Sequence, residues 1–169
     1  MVVVGGEGKA RLLLPGPPVQ LGARIPDTDA VTATVNDDGT LIFTGGPSGI
    51  HAWAADGIQR WTSPHPPPYP IDLALSGDGR WLAAAGLDGG ARIYRVEDGL
   101  LMAVLRGHTA RLSALAFAVE KPLLATIGWD AQLHLWDLSV LDMDAQTAAS
   151  TARTRWQMDW KGALAAVVQ

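Results

Sequence analysis

The stretch RGHTARLSALAFAVEKPLLATIGWDAQLHLWDL, residues 106–138, decides how the rest of the chain is interpreted. A Gly-His pair opens it, two short apolar runs follow, Asp130 lies in a tight turn, and Trp136-Asp137 closes it. Apolar runs of about four to eight residues, bounded by turn residues, are typical of buried β-strands. The stretch therefore predicts a small antiparallel sheet.

The same pattern returns along the chain with a period of about 40 residues. Stepping back from Trp136 reaches Tyr94 after 42 residues, Trp53 after 41 more and Leu13 after another 40. Each of these residues ends a short apolar stretch that follows a glycine-containing turn. A period of about 40–45 residues with aromatic strand ends is typical of β-propeller blades. Eighteen residues after each strand end another apolar run begins, at Val31, Ile71, Leu112 and Thr154.

One repeat contains four predicted strands. In the unit that begins at Ile71 they are residues 71–76, 81–86, 91–96 and 100–106, separated by turns rich in glycine and acidic residues. Helical periodicity is absent from these runs, and about ten residues per strand fits antiparallel hairpins. Residues 142–150 are polar and alanine-rich, so we expect a weak outer strand, a loop or a short helical turn there. Complete units are predicted over 31–63, 71–106 and 112–150, and part-units over 1–23 and 154–169.

The repeat resembles the WD repeat of β-propeller proteins, most clearly over residues 105–138. The resemblance implies an all-β fold in which residues 1–169 form one domain. That domain is a partial ring, with three complete four-stranded blades and a part-blade at each end. Closing the ring protects the faces and edges of the blades. We therefore expect the chain to be a piece of a longer propeller, or one of two copies that complete a single ring.

The resemblance also implies a hydrogen-bonded network made of the Gly-His histidine, the turn aspartate, a strand hydroxyl and the strand-end tryptophan. His108, Asp130 and Trp136 occupy three of these positions, and Asp137 follows the tryptophan. By this alignment the hydroxyl position falls on Gly128, with Thr126 one strand period earlier. The other units supply degenerate members of the network: Asp88 at the turn-acid position, and Trp53 and Tyr94 at the strand end.

Two positions of the network are replaced in the other units. The histidine position holds Asp27, Pro67 and Ser150, and the turn-acid position holds Glu7 and Pro47 in the two units before Asp88. The family assignment therefore depends on one complete unit together with the period.

His108 and Asp130 could also be interpreted as a catalytic pair. We favour the structural interpretation, because the repeat accounts for both residues and no serine or cysteine lies in a nucleophile elbow. The four histidines lack a close ligand spacing, so no metal site is predicted. Gly5-Gly6-Glu7-Gly8-Lys9 lacks the spacing of a phosphate-binding loop and precedes a strand. The sequence predicts no cofactor and no enzymatic activity.

Residues 63–70, SPHPPPYP, form the most distinctive local sequence. Dense proline favours an extended polyproline II segment, and PPPY resembles the ligands of WW domains. The alternative is a stiff loop between blades, which proline stabilises by reducing the entropy of the unfolded chain. The candidate partner-binding residues of this loop are His65, Pro66, Pro67, Pro68 and Tyr69.

Composition limits the other classes of function. The chain has 169 residues, a net charge of −4 and no cysteine, so it has neither disulfides nor a thiolate site. Its scattered charges lack the basic stripe of a nucleic-acid-binding protein. No apolar run approaches the roughly 20 residues of a membrane helix, and the first residues lack the apolar core of a signal peptide. We expect a cytoplasmic protein that binds neither nucleic acid nor membrane.

The predicted function is protein–protein interaction scaffolding, carried over from the resemblance, with partners that the sequence does not identify. A stack of blades that presents loops from several repeats makes a broad surface and requires no catalytic residue. The rival interpretation is a regulatory propeller domain of a larger signalling enzyme or hydrolase. Four tryptophans could anchor an interface or lie between blades: Trp61, Trp129, Trp156 and Trp160.

Overall fold

The computed structural model describes residues 2–5, 9–14, 20–25, 29–142 and 165–167. These residues form fifteen β-strands and one short 3-10 helix, so the predicted all-β class is confirmed. The first sheet consists of β1 Val2–Gly5, β2 Lys9–Leu14 and β3 Gln20–Ile25; the second of β4 Thr32–Val35, β5 Leu41–Gly46, β6 Gly49–Ala54 and β7 Gln59–Thr62.

The third sheet has five strands, because an additional strand pairs with its outer edge. It consists of β8 Asp72–Leu75, β9 Trp81–Ala85, β10 Gly90–Arg95 and β11 Leu101–Arg106, followed by β15 Ala165–Val167. The fourth sheet consists of β12 Leu112–Phe117, β13 Leu123–Gly128 and β14 Leu133–Asp137. Neighbouring strands in every sheet are antiparallel. They also follow each other in the chain, except that β15 pairs with β11. This is the predicted blade pattern.

The turns between first and second strands explain why the sheets recur at one spacing. Gly39 and Gly79 both have a left-handed backbone, with φ of +72° and +70°, which glycine adopts without strain. In each turn a side chain three residues before the glycine accepts a hydrogen bond from the start of the next strand. Leu41 N–H donates to Asn36 at 2.8 Å, and Trp81 N–H donates to Ser76 Oγ at 3.0 Å.

The core lies between sheets rather than within one sheet. The second and third sheets each turn one side towards the sheet before and the other towards the sheet after, so apolar residues point both ways from their central strands. Ile25 meets Ile42 and Trp53; Phe43 and Ile50 meet Leu82 and Tyr94; Ala83 and Ile93 meet Leu124 and Trp136.

Polar bonds also join neighbouring sheets. The Asp72 carboxylate of the third sheet accepts the backbone N–H of Leu115 in the fourth at 2.9 Å. The indole N–H of Trp61, on the outer strand of the second sheet, donates to the carbonyl of Val96 in the third at 2.8 Å. The first strands β4, β8 and β12 contact one another in succession. The sheets therefore stack as blades in an arc, and the predicted partial ring is confirmed, since the described residues do not close it.

The last predicted units differ from the sequence-based expectation. Ala165–Val167, predicted as the second strand of a further blade, instead pairs with β11 at the outer edge of the third sheet. After β14 the chain forms a 3-10 helix over Ser139–Asp142. The weak outer strand, loop or short helical turn expected over residues 142–150 falls, beyond Asp142, outside the described residues. The rest of the outer strand predicted for the 112–150 unit, and the first strand predicted near 154, lie outside the described residues.

Candidate functional site

The best-formed polar site is the network of the fourth sheet. His108 lies in the loop before β12, Asp130 in the turn between β13 and β14, and Trp136 on β14. His108 Nδ1 lies 3.0 Å from both Asp130 oxygens, and its Nε2 lies 2.9 Å from Thr126 Oγ1. The Trp136 indole N–H donates to the same hydroxyl at 2.9 Å. The structure thus joins a loop, a turn and two strands through four side chains.

The hydroxyl of this network belongs to Thr126, so the expected position at Gly128 was wrong. A Cβ on Gly128 would lie 2.7 Å from His108 Nδ1 and 2.9 Å from Asp130 Oδ1, so this position has no room for a side chain. Thr126 is two residues earlier on the same side of β13. It is fully buried, and its hydroxyl can contact both the imidazole and the indole.

The network has one consistent direction of donation. The indole of Trp136 can only donate, so Thr126 Oγ1 accepts from it and donates its own proton to His108 Nε2. His108 Nδ1–H then donates to Asp130, which also accepts the backbone N–H groups of Thr109 and Gln132 at 2.9 and 3.1 Å. These bonds, the one from His108 foremost, lower the pKa of Asp130 from 3.8 to about 2. The carboxylate is therefore held as an anion by donors fixed in the fold.

Asp137 does not take part in this arrangement. It follows Trp136, so its side chain points to the opposite side of β14, where it is exposed. Its carboxylate accepts the backbone N–H of Ser139 at 3.0 Å and so caps the start of the 3-10 helix.

In the third sheet, the loop before the first strand also meets the turn between the second and third strands, but through different residues. Pro67 occupies the histidine position and is buried, and its Cβ would lie 3.1 Å from a Cβ on Gly86. Asp88, at the turn-acid position, forms a bidentate pair with Arg92 at 3.1 and 2.8 Å. The hydrogen bond from Arg92 lowers the pKa of the Asp88 carboxyl. In the third sheet, Pro67 of the loop therefore makes a van der Waals contact with the turn at Gly86, whereas Asp88 is bound by Arg92 within the same hairpin.

Tyr94 anchors the proline-rich loop. Its side chain is fully buried, and its hydroxyl donates to the backbone carbonyl of His65 at 2.7 Å. Burial raises the pKa of the Tyr94 phenol. Leu87 N–H also donates to the Pro68 carbonyl at 3.1 Å, so the loop is bonded to the third sheet at two points.

The proline loop divides into buried and exposed residues. Pro67 and Pro70 are buried, whereas Pro66, Pro68 and the side chains of His65 and Tyr69 are exposed. Tyr69 has a φ of +50°, which is not the polyproline II conformation. The loop is therefore fixed on the blade, and it presents Tyr69 at a bend rather than in an extended segment.

In the second sheet the junction is reversed. The acid lies in the loop, at Asp29, and the hydroxyl lies in the turn, at Ser48, which donates to Asp29 through Oγ at 2.7 Å and through its backbone N–H at 3.0 Å. Ser48 Oγ is 3.0 Å from His51 Nε2, and His51 Nδ1 is 3.0 Å from Thr62 Oγ1. Sequence alignment assigned Asp27 and Pro47 to these positions and missed Asp29 and Ser48.

Trp53 repeats one part of the fourth-sheet network. Its indole N–H donates to Thr44 Oγ1 at 2.8 Å, and both side chains are buried. Thr44 pairs with His51 in the same register in which Thr126 pairs with His134. The two sheets therefore share a buried threonine–tryptophan hydrogen bond at equivalent positions.

The predicted site residues of the loops and turns lie at one end of the blades, which we call the loop end: His65–Tyr69, Asp88, His108 and Asp130. Asp137 ends β14 at the opposite end. The loop end comprises the loops before the first strands, residues 29–31, 63–70 and 107–111, and the turns between second and third strands, residues 47–48, 86–89 and 129–132. Four large apolar side chains are exposed there, and they come from the second, third and fourth sheets. They are Val31, Tyr69, Leu87 and Trp129.

Trp129 is the most exposed of these side chains, with 68% of its surface accessible. The guanidinium carbon of Arg111 lies 3.5 Å from the centre of its ring, which is a cation–π contact. The backbone N–H of Trp129 donates to the backbone carbonyl of Arg111 at 2.9 Å, so the turn that carries Trp129 is bonded to the loop that carries Arg111. A flat aromatic surface is thereby held in solvent by the fold.

Two searches for other chemistry within the described part of the chain find none. No group of three or more histidine, cysteine or acidic side chains there could hold a metal ion. The described helical segment is too short to cross a membrane.

The family model "WD domain, G-beta repeat" matches residues 62–95 and 99–137. Each match runs from the outer-strand region of one sheet to the third strand of the next. The first includes the proline loop and Tyr94, and the second includes His108 and Trp136. The matched repeat thus contains a complete loop-to-turn junction.

Three curated relatives share sequence with parts of the chain. An uncharacterized WD repeat-containing protein, sll1491 of Synechocystis sp., is 37% identical over 67 residues, covering 39% of this chain and 19% of that protein. The U3 snoRNP-associated protein-like EMB2271 of Arabidopsis thaliana is 25% identical over 128 residues, covering 69% and 26%. The human leucine-rich repeat and WD repeat-containing protein 1 is 36% identical over 78 residues, covering 44% and 12%. The chain therefore spans about a quarter or less of each relative.

Solved structures share the fold. The RRP9 WD40 repeats and U3-55K match with a TM-score of 0.59 each, at 22% and 20% identity, over 66% of this chain and 36% of theirs. The computationally designed Ika4 protein matches with a TM-score of 0.66 at 16% identity, over 81% of this chain and 84% of that one. Residues 62–95 and 99–137 are therefore matched as two WD40 repeats, and the sheets share the fold of the solved WD40 propeller structures.

Proposed function

We propose that the chain is a non-catalytic scaffold that binds a protein partner through its loop end. The observation that carries this proposal is the exposed pair of Trp129 and Arg111. Tryptophan, tyrosine and arginine are the residues most enriched among those that dominate binding energy at protein interfaces. A cation–π contact also holds the tryptophan in place before binding, so less side-chain entropy is lost on association.

Tyr69 and Leu87 extend this surface across the third sheet. Both are partly exposed at the same end of the blades, and the Pro68 carbonyl that precedes Tyr69 accepts the Leu87 N–H. The turn of residues 86–89 also touches the loop before β12: a Cβ on Gly89 would lie 2.7 Å from the Ala110 carbonyl. The exposed side chains of the third and fourth sheets therefore belong to one stretch of surface.

The charge of the chain favours a protein partner over a nucleic acid. The net charge is −4, and binding to phosphates requires clustered basic residues. One similar protein carries the name U3 snoRNP-associated protein-like EMB2271. For this chain we propose a protein partner, with an apolar or aromatic side chain that stacks against Trp129.

A comparison of three baits tests the proposal. The wild-type chain, Trp129→Ala and the control Val119→Ala are used for affinity purification with quantitative mass spectrometry. Val119 is 86% exposed in the turn between β12 and β13, at the opposite end of the blade. We expect a partner that the wild type and the control retain and Trp129→Ala loses. Its affinity, measured by titration calorimetry, should fall about 30-fold in Trp129→Ala, equivalent to about 2 kcal/mol.

Identical recovery with all three baits contradicts a binding role for Trp129. Measurable turnover of a small-molecule substrate by the wild-type chain contradicts the non-catalytic part of the proposal. Because Trp129 is mostly exposed, its replacement should leave the melting temperature close to that of the wild type, and this is checked for each bait.

A further inference from the structure

The outer strand of the third sheet, β11, carries no charged residue before its last position. Its sequence is LMAVLR, and Arg106 is the one residue of the strand that is exposed. The outer strand of the second sheet, β7, has the sequence QRWT, and three of its four residues are exposed. Charged and polar side chains hinder the pairing of a sheet edge with another chain. They are present along β7, whereas β11 has a charge at one end alone.

The edge of β11 accepts a strand in this structure. Ala165–Val167 form β15, which runs antiparallel to β11 opposite residues 103–105. With this one exception, neighbouring strands in the described sheets also follow each other in the chain. The edge therefore pairs with a segment that is distant in sequence, through the backbone hydrogen bonds of a sheet ladder.

The edge is longer than the described part of the strand that covers it. The pairing of β15 with β11 comprises three residue pairs, whereas β11 has six residues. An extended segment of six residues can form up to twice as many pairs along the same edge. A longer strand of suitable composition can therefore compete with β15 for β11.

The side chains of β11 define the composition that suits its edge. Ala103 and Leu105 are buried in the core between the third and fourth sheets, and Val104, which points to the opposite side, is half-buried. Side chains directly opposite each other on antiparallel strands lie close together, so charged residues beside this apolar row would be unfavourable. Small or β-branched apolar residues suit it. The sequence of β15, Ala-Ala-Val, has this composition.

We propose that the outer edge of β11 is a strand-addition site for an extended, uncharged apolar segment of a partner protein, and that Ala165–Val167 occupy this site in competition with the partner. Recognition of this kind combines backbone hydrogen bonds, which give affinity, with contacts of alternate side chains, which give specificity. The site lies along a strand and is distinct from the loops and turns of the loop end.

A peptide with the sequence KGALAAVVQ, residues 161–169, serves as the probe. It is labelled with fluorescein and titrated by fluorescence anisotropy into the 169-residue chain and into the double variant Ala165→Pro/Ala166→Pro. Successive N–H groups of a strand point to opposite edges, so one of the two prolines removes a donor that faces β11. We expect the peptide to bind the double variant with a Kd at least tenfold lower than that of the wild type, because the edge of the variant is free.

Two controls establish that the peptide binds as a strand on β11. The same peptide with prolines at both alanines should bind neither chain. Adding Val104→Lys to the double variant should weaken binding at least tenfold, because lysine protects an edge from pairing, whereas Gln59→Lys on the outer strand of the second sheet should leave the Kd unchanged. Far-ultraviolet circular dichroism establishes that each variant keeps its strands.

Amide hydrogen exchange, followed by nuclear magnetic resonance, locates the peptide without a substitution in β11. The outward-pointing amides of residues 103–105 should exchange faster in the double variant than in the wild type, and the peptide should slow them again. Absence of binding to the double variant overturns the proposal. Equal binding to both chains also overturns it, because β15 would then not compete for the site.

Light scattering separates a partner strand from the same segment of a second copy. The two prolines should leave the oligomeric state of the chain unchanged. A wild-type dimer that dissociates in the double variant would show that copies exchange β15 with each other, and this result overturns the assignment of the site to a partner protein.

Discussion

The buried hydroxyl of Tyr94 donates to the backbone carbonyl of His65 at 2.7 Å and so ties the third sheet to the proline loop 29 residues earlier. Tyr94 takes the strand-end position that tryptophan takes in the second and fourth sheets. A tryptophan N–H reaches a threonine on the neighbouring strand, whereas the phenol donates to a loop. One substitution at one position thus changes which element of the blade is bonded to the strand end.

Tyr94→Phe should therefore loosen the loop without disturbing the sheet. The change leaves the His65 carbonyl without its donor, and we expect the free energy of unfolding to fall by about 1–2 kcal/mol in urea denaturation. Faster hydrogen exchange at Leu87 N–H, which donates to the same loop, should accompany the loss. The control Tyr69→Phe removes a hydroxyl from a side chain that is 45% exposed and should change stability by less than about 0.5 kcal/mol. Equal effects of the two substitutions would contradict the role of Tyr94.

His108→Ala should destabilise the fourth sheet. The substitution removes the donor to Asp130 and the acceptor of the Thr126 hydroxyl at once, and we expect a loss of about 1–3 kcal/mol in denaturant unfolding. His65→Ala serves as the matched control, because its side chain is exposed and lies in a loop. A melting temperature of His108→Ala equal to that of the wild type within error would rule out a structural role for the network.

Gly128→Ala tests whether the absence of a side chain at this position keeps the network intact. The new methyl group would lie 2.7 Å from His108 Nδ1, so the imidazole or the turn must move, at a cost of about 1–3 kcal/mol. In the His108→Ala background the nearest obstacle is gone, and the same glycine substitution should cost less. A double-mutant cycle by urea denaturation should give a coupling of at least about 0.5 kcal/mol. Strict additivity would show that Gly128 and His108 act independently.

The pKa of Asp130 predicts how the network responds to acid. The folded-state value of about 2 lies below the ordinary 3.8, so folding favours the ionised form, and the resulting stability is complete above about pH 4. It is lost as the pH falls from about 4 through 2. Asp130→Asn cannot titrate at this position, so the difference in urea midpoint between wild type and variant should be largest near neutral pH and shrink towards pH 2. A difference that stays constant over this range would contradict the assignment.

The period of the sequence predicted most of the fold, because hydrophobic burial between blades repeats with the blade. It placed β1–β3 within a part-blade and the four strands of the third sheet to within a few residues. It did not predict the pairing of Ala165–Val167 with β11, since the free outer edge of a sheet accepts a strand with little demand on side-chain type. The short apolar segment Ala-Ala-Val fits many edges equally well.

The site was predicted less completely than the fold. Gly128 and Thr126 lie on the same side of β13, so strand alternation could not decide which residue faces His108; the close approach of the turn does. In the second sheet, seven residues separate Thr44 from His51, whereas eight separate Thr126 from His134. That shorter turn shifts the alignment of the turn by one residue, from Pro47 to Ser48, and the acid in the loop is Asp29 rather than Asp27.

The three junctions between loop and turn also determine which loop can pack on which turn. A histidine fits the turn of Asp130, a proline fits the turn of Gly86, and an aspartate fits the turn of Ser48. If a loop docked onto the turn of another repeat, it would leave a buried donor or acceptor unpaired or set two acids against each other. Repeats built from similar strands are prone to pair with the wrong neighbour during folding. The divergence of these junctions favours the native pairing over the others, so that three sheets of similar architecture fold in one order.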